Sequence, residues 1–489
     1  MKYNLLLLSF FVFNYVSTDA QNNWHNQLDY GIYDVGFKTF HVKDYSRPYI
    51  MGTDSENVPR PMQISVWYPA TASKTGPPIT LGYLLALQES EESLHKISLA
   101  DALIPSAIYA DYFKGDRLEK VFNKPMKSLL DATQYKGKFP LILYGSAQSS
   151  SGFDNALICE QLASHGYIVA TVASKGAYSR QMTFDEEGAL GQSRDLEFLY
   201  GYMYNFPNIN IQKLGTVGFS LGCLSMVMFS LKNKNVKAMV SLDGSIPNGY
   251  PILKSFTYLN SKDFNSNFLG FLGDKGFINN YPLFDDTTFS DIYLLKLKNR
   301  NHLDFSSANL RVTKRAEKAY PAYVDMANLT VKFMNHNFYD VNSFDEVVSS
   351  YSKDIYSGLR KKKSKGSPEV SKEEFINYIN ENGIDKGIQI YYDTKNAFPD
   401  YKLFEYQAFR DVGFLKMMEK DYNSAIKVYK VLLEAYPNTS DSYRRLGEAY
   451  MEIGNYDDAL QLINSGLEID PNSPAMLDIK RIIKEHQKG

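Results

Sequence analysis

A short β-forming run, Leu214-Gly215-Thr216-Val217, leads into Gly218-Phe219-Ser220-Leu221-Gly222 and then into an apolar helical pattern that reaches Phe229. Gly-x-Ser-x-Gly is a common string, and its setting gives it meaning. Between a strand and a helix it forms an elbow, in which a serine sits on a tight turn and the flanking glycines have no Cβ to clash where the backbone doubles back on itself. A chain with this element needs a sheet whose strand ends are open to solvent and whose faces are covered by helices.

The surrounding sequence supplies such a sheet. The segment from Tyr33 to Ala70, ending in Gln63-Ile64-Ser65-Val66-Trp67-Tyr68-Pro69, reads as two or three antiparallel strands. Short apolar runs then follow at Phe139–Tyr144, Tyr167–Val172, Leu214–Val217, Val236–Leu242, Phe256–Leu259 and Ile292–Leu297, separated by helical patterns such as Gln192–Met203 and Ala316–Asn337. Strand and helix in alternation predict an α/β fold with a mostly parallel sheet. The interval at 71–138 breaks the alternation, with helical character at Leu81–Leu94 and Ala100–Phe113. It is read as a helical insertion capping the site, with extra packing at the sheet edge as the alternative.

At 489 residues and 44% hydrophobic, the chain is long enough for two or more domains. The formal net charge of -2 gives nucleic-acid binding no electrostatic support, and the one basic cluster, Arg360-Lys361-Lys362-Lys363 with Lys365, reads as a solvated linker. Lys2, the apolar run Leu5–Val16 and Ser17-Thr18-Asp19-Ala20 have the form of a secretory signal occupying residues 1–20, so the expectation is an exported protein, periplasmic or secreted. The mature chain is expected to have no transmembrane segment. Cys159 and Cys223 fall on apolar helix faces and read as buried thiols rather than a disulfide. No closely spaced His, Cys, Asp and Glu set suggests a metal, and no cofactor is expected.

The serine requires a base and an acid. On an elbow of this kind the chain order is Ser, then Asp or Glu, then His, which sets aside His25, His41, His95 and His165 by position. Of the rest, His336 lies inside a helical pattern and His486 in the final tail. His302 follows a strand, in the polar loop Lys298-Asn299-Arg300-Asn301-His302-Leu303-Asp304-Phe305, from where it can reach back to Ser220. Two acids compete: Asp243 closes Val240-Ser241-Leu242-Asp243-Gly244, and Asp263 follows Leu259-Asn260-Ser261-Lys262.

Several stretches are shared with a known group. Ser65-Val66-Trp67-Tyr68-Pro69, Leu162 to Ala170 (Leu-Ala-Ser-His-Gly-Tyr-Ile-Val-Ala), the elbow, Leu242-Asp243, Tyr258-Leu259-Asn260-Ser261, and His302 with Asp304-Phe305 resemble, in that order, the platelet-activating-factor acetylhydrolase group of α/β-hydrolases, with dienelactone-hydrolase-like esterases as wider relatives. The resemblance covers about Tyr33 to Asn337. It implies an α/β-hydrolase fold and a Ser220, His302 and Asp243 triad, because in that group the acid comes from the strand directly after the elbow helix. It also implies an oxyanion site made by the backbone N–H groups of Leu221 and Gln148. The loop Gly145 to Gly152 departs from the Ser-His-Gly-like residues usual in relatives, which bears on rate and acyl preference more than on reaction class. The implied activity is serine-dependent hydrolysis of carboxylic esters, with a small ester or a short-acyl, phospholipid-like ester as substrate.

The C-terminal part has a different grammar. Pro437 and Pro471 are 34 residues apart and each closes a copy of one pattern, with Phe409/Tyr443, Gly413/Gly447, Ala425/Ala459 and Tyr429/Ile463 in register. A helix-turn-helix unit of that period resembles the tetratricopeptide repeat. A degenerate earlier copy with Gly387, Tyr391 and Pro399 is expected, and a capping helix at Pro474–Glu485. The resulting layout is a signal peptide at 1–20, a hydrolase domain at 24–340, a linker at 341–371 and repeats at 372–489. The repeats offer a groove for a protein or peptide, or else a packing appendage. Two other functions stay open: a serine peptidase or amidase, and a catalytically weak binding protein acting through its repeats.

Overall fold

The computed structural model describes residues 27–51, 57–71, 76–101, 122–274, 281–285, 287–312, 316–339, 341, 343–350, 356–364, 366, 368–399 and 401–486. The expected signal peptide, His25, Lys365 and nearly all of the helix expected at Ala100–Phe113 lie outside these residues. The chain divides into two compact units, Met1–Lys365 and Gly366–Gly489.

In the first unit the order is β1 (Asp34–Ile50), β2 (Asn57–Ala70), β3 (Pro78–Thr80), α1 (Leu81–Glu89), β4 (Pro125–Leu130), β5 (Phe139–Gly145), α2 (Ala156–Ser164), β6 (Ile168–Val172), α3 (Glu186–Met203) and β7 (Ile209–Phe219). It continues through α4 (Leu221–Lys232), β8 (Val236–Leu242), α5 (Ile246–Ser255), β9 (Asn267–Gly273), β10 (Ile292–Leu297), α6 (Ser307–Val312), α7 (Ala316–Tyr339), α8 (Phe344–Ser349) and β11 (Tyr356–Lys362). The strands form one sheet in the order β11-β10-β9-β8-β7-β5-β6-β2-β1-β4-β3. From β10 to β6 every neighbour is parallel, whereas β1 and β2 form a long antiparallel ribbon joined antiparallel to β6.

The apolar runs buried on both faces explain this pairing, since β5, β6 and β8 are enclosed almost throughout. One apolar layer carries α2 and α7 on one face, and a second carries α3 and α4 on the other. The strand order reverses at β5, whose neighbours are β6 and β7. Chain segments leaving the ends of β5 and β7 therefore flank a crevice, the usual place for a site in an open α/β sheet.

Three expectations are corrected. The strand placed at Phe256–Leu259 is instead β9, at Asn267–Gly273; Phe256 caps the C-terminus of α5, and Asp263 ends a short 3₁₀ turn. The interval at 71–138 is not wholly helical: β3 and β4 extend the sheet, with β4 running parallel to β1. The linker expected at 341–371 includes a helix, α8, and an edge strand, β11, antiparallel to β10. Its basic side chains are ion-paired rather than simply solvated, Arg360 with Asp285 at 2.9 Å, Lys361 with Asp345 at 3.0 Å and Lys363 with Asp345 at 2.7 Å. Lysines on an edge strand also block pairing with another chain.

The second unit comprises α9 (Phe375–Asn382), α10 (Ile384–Ala397), α11 (Tyr406–Met418), α12 (Tyr422–Ala435), α13 (Ser440–Glu452), α14 (Tyr456–Ile469) and α15 (Pro474–His486). The small residues lie where paired helices meet. A Cβ on Gly413 would come within 2.3 Å of the Tyr429 ring, and one on Gly447 within 3.0 Å of Ile463. The earlier pair, α9 and α10, is out of this register, because Gly387 stands on the second helix of the pair and faces Ile379 on the first.

Candidate active site

Ser220 stands between β7 and α4 with φ 55° and ψ -124°, a conformation that L-residues seldom adopt. Backbone bonds hold it there: its N–H donates to Leu242 O at 3.2 Å, and its C=O accepts from Ser245 N at 3.0 Å and Cys223 N at 3.1 Å. The two glycines are sterically required. A Cβ on Gly218 would lie 2.9 Å from Cys223 N, and one on Gly222 only 2.2 Å from Gly145 O. Cys223 is buried and unpaired beneath the elbow, and burial pushes its thiol up to about 12. It is thus protonated at neutral pH and a poor nucleophile. Cys159 is likewise free and buried.

The strand after the elbow helix delivers the acid. Asp243, just past β8, has φ 43°, and its N–H donates to Phe271 O at 2.8 Å. One carboxylate oxygen accepts from Gly273 N at 2.9 Å, and the other lies 2.8 Å from His302 Nδ1. The opposite ring nitrogen, Nε2, is 2.9 Å from Ser220 Oγ. Ser220, His302 and Asp243 thus form one continuous hydrogen-bonded chain. Its burial is graded, with 3% of the Asp243 side chain exposed against 31% for His302. The acid is shielded while the imidazole and hydroxyl stay within reach of a ligand. Asp263, the rival acid, is exposed on its 3₁₀ turn and has no part in this chain of bonds.

His302 begins a 3₁₀ turn, His302–Phe305, in which the Asp304 carboxylate accepts from Asn301 N at 3.0 Å. Its ring stacks on Phe219 with centroids 4.9 Å apart. The residue before the nucleophile therefore supports the imidazole, a role that the five-residue pattern leaves unspecified.

The residues expected to supply the oxyanion donors flank the crevice. Leu221 is the first residue of α4, where a backbone N–H has no acceptor inside the helix. The loop after β5 passes directly against that helix start, as the 2.2 Å and 2.6 Å approaches of a Gly222 Cβ to Gly145 O and Ser146 O reveal. It is tied down on all sides. Gln192 Nε2 donates to Ser146 O at 2.9 Å while Gln192 Oε1 accepts from Ser225 Oγ at 2.7 Å. Gln148 Nε2 donates to Met182 O at 2.7 Å, and Ser149 Oγ accepts from Met182 N at 2.9 Å. The segment carrying Met182 is in turn anchored by fully buried Arg60, which bonds Gly176 O, Ala177 O and the Asp195 carboxylate.

Beside this loop lies a residue that the sequence does not mark out. Asp154 is buried, accepts from Ala147 N at 2.9 Å and from the Tyr144 hydroxyl, and is pushed up to about 6 by burial against the pull of these donors. In the sequence it stands just ahead of a helix, where an Asp-Asn pair suggests only a helix cap. Among the described residues, no group of three or more His, Cys, Asp and Glu is placed to hold a metal, and no helix is long and apolar enough to cross a membrane.

The first unit has the α/β-hydrolase fold: a mostly parallel sheet, helices on both faces, and a serine on a strand-to-helix elbow at the C-terminal end of an interior strand. The second is a helical repeat region, of which residues 416–483 match the tetratricopeptide repeat family. Among solved structures, a ferulic acid esterase from Streptomyces cinnamoneus aligns with a TM-score of 0.49 and 16% identity, over 68% of this chain and 96% of that one. No curated protein matches the sequence.

Proposed function

We propose that the first unit is a serine hydrolase of carboxylic esters, with Ser220 as nucleophile, His302 as general base and Asp243 as the acid that orients it. The observation that carries this reading is the unbroken chain from Asp243 Oδ2 through His302 to Ser220 Oγ, with spacings of 2.8 and 2.9 Å, on a strained elbow. Both spacings lie within the range for proton transfer. His302 takes the hydroxyl proton as Oγ attacks the ester carbonyl. Asp243 holds the imidazole with Nδ1 protonated and stabilises the imidazolium that forms. The backbone N–H groups of Leu221 and Gln148 receive the oxyanion, each worth about 3 to 4 kcal/mol of transition-state stabilisation. The proton on Nε2 then passes to the leaving alcohol, and water repeats the sequence on the acyl-enzyme.

The resemblance to the acetylhydrolase group supports a small or short-acyl ester, including phospholipid-like esters. The N-terminal signal pattern supports export of the protein to the periplasm or beyond. The tetratricopeptide match supports a protein or peptide partner for the second unit. The test is labelling by a fluorophosphonate together with turnover of short-acyl esters. Wild type is expected to label at Ser220 and turn over, and Ser220→Ala to do neither; turnover retained by that variant defeats the proposal. A peptide library run beside the ester panel separates esterase from peptidase.

A further inference from the structure

We propose that Asp154 is a positioning residue for the Ser220 centre, locking the loop that carries Gln148 to the loop that carries His302. The inference rests on the serine-hydrolase reading above. Its physical basis is that Asp154 uses its side chain toward one loop and its main chain toward the other.

The side-chain half faces the loop after β5. The carboxylate accepts from Ala147 N at 2.9 Å, one residue before Gln148, and from the hydroxyl of Tyr144 at the end of β5. The carboxylate thus fixes the peptide that enters Ala147, while Ala147 O accepts from Ser150 N at 3.0 Å, and between these two bonds lies the peptide plane that carries the Gln148 N–H. The main-chain half faces the segment after His302. Asp154 O accepts from Ser306 Oγ at 2.8 Å, from Ala308 N at 3.0 Å and from Ser307 Oγ at 3.3 Å. Asn155 reinforces both halves, since its Nδ2 donates to the Tyr144 hydroxyl at 3.0 Å and its Oδ1 accepts from Ser307 N at 3.0 Å and from the Tyr323 hydroxyl at 2.9 Å.

Burial pushes the Asp154 carboxyl up to about 6, so a charge is held here against the cost of desolvation. A helix start needs no such group; an Asn or Ser would serve. The donors converging on the carboxylate account for an acid at this position, and they come from the end of β5 and from the loop that follows it beside the elbow.

The experiment compares Asp154→Asn with Glu160→Gln in the full-length protein. Glu160 is a structural control, a buried carboxylate in α2 whose hydrogen-bond partners, Ser128 and Tyr30, lie in neither loop. An asparagine at 154 cannot accept from Ala147 N and from Tyr144 with two oxygens. The expected result is a fall of about 10- to 100-fold in kcat for short-acyl ester hydrolysis with KM within about threefold, the signature of a group acting in the transition state. Amide hydrogen exchange is expected to quicken in both 145–152 and 302–308. Glu160→Gln should change Tm but neither kcat nor exchange in those segments. An Asp154→Asn enzyme with wild-type kcat, or one whose loss is matched by Glu160→Gln, overturns the positioning role; faster exchange in one loop alone overturns the coupling. Wild-type protein that neither labels nor turns over ester defeats the serine-hydrolase reading instead, and the exchange measurement then still decides whether Asp154 couples the loops.

Discussion

Replacing Asp243 by asparagine tests the site at the point where its geometry is most demanding. The two carboxylate oxygens have separate duties, one accepting from Gly273 N at 2.9 Å and the other from His302 Nδ1 at 2.8 Å. An amide of the same shape has only one oxygen. Turning it away from Gly273 would leave a buried N–H unsatisfied at a cost of about 1 to 3 kcal/mol. The oxygen therefore stays on Gly273 and the NH2 faces the imidazole. His302 must then accept at Nδ1, which puts its proton on Nε2, toward Ser220. In that tautomer the ring cannot take the hydroxyl proton, and the negative partner of the imidazolium is gone as well. In a Ser-His-Asp triad on another fold, the same change lowers kcat about 10⁴-fold, equivalent to about 5.5 kcal/mol. The assay is steady-state hydrolysis of a p-nitrophenyl ester near neutral pH, with Tm measured to establish that the variant is folded. Asp263→Asn serves as the comparison, because that side chain is exposed on its turn. A folded Asp243→Asn enzyme that keeps more than about a tenth of wild-type kcat would refute the tautomer argument. Equal losses in the two variants would refute the choice of acid.

Three further outcomes follow from the packing. Gly222→Ala places a Cβ 2.2 Å from Gly145 O and is expected to destabilise by about 1 to 3 kcal/mol in denaturant titration and to cut ester turnover, whereas Gly201→Ala, on an exposed face of α3 with nothing within 4 Å, should stabilise by up to about 1 kcal/mol. Asp154 moves from an ordinary 3.8 to about 6 on folding, so between those values the native state binds more protons than the unfolded one; the stability this group contributes is full below the unfolded value and is lost as pH rises through the folded one. The difference in unfolding free energy between wild type and Asp154→Asn should therefore shift against wild type by about 3 kcal/mol across that window, measured by urea titration at several pH values. Gly413→Ala drives a Cβ to 2.3 Å from the Tyr429 ring and is expected to lower the helical unit's unfolding midpoint, read by circular dichroism.

Local signals and chain order made the elbow, most of the parallel strands, Ser220 and His302 legible in the sequence, whereas Asp243 was preferred to Asp263 only through the family resemblance. Ser220 lies in an unmistakable change of period, from a β run to a helical run, and a histidine that follows a strand is a small set to choose from. The acid was harder, since Asp243 and Asp263 both end apolar stretches. The fold separates them because the second stretch is not a strand. Phe256-Thr257-Tyr258-Leu259 has β-forming residues, yet it leaves α5 without a sheet partner, whereas β9 contains Gly270 and Gly273 and so scores poorly by propensity. Gly270 is there because a Cβ would meet Leu294 of β10 at 2.8 Å, a tertiary reason that no local window contains. β11 was hidden for the opposite cause: its charges suit an edge strand, and edges look like linkers when only composition is read. Asp154 was hidden because its partners lie both close by in sequence and about 150 residues away.

The backbone at the elbow decides how cleanly the serine can be tested. Ser220 and Asp243 are both non-glycine residues at positive φ, a strain of about 1 to 3 kcal/mol each that persists only where surroundings over-determine it. Here the surroundings are main-chain bonds: Ser220 N to Leu242 O, Asp243 N to Phe271 O, and Ser245 N to Ser220 O. None involves the Ser220 hydroxyl, which is hydrogen-bonded to His302 Nε2 at 2.9 Å. His302 in turn keeps its Asp243 bond and its stack on Phe219 when that hydroxyl is removed. Ser220→Ala should therefore unfold within about 0.5 kcal/mol of wild type, the range of substitutions that break no structural feature. A loss of turnover in that variant then reports the missing nucleophile, and a large loss of stability would mean that the elbow is held together by the hydroxyl after all.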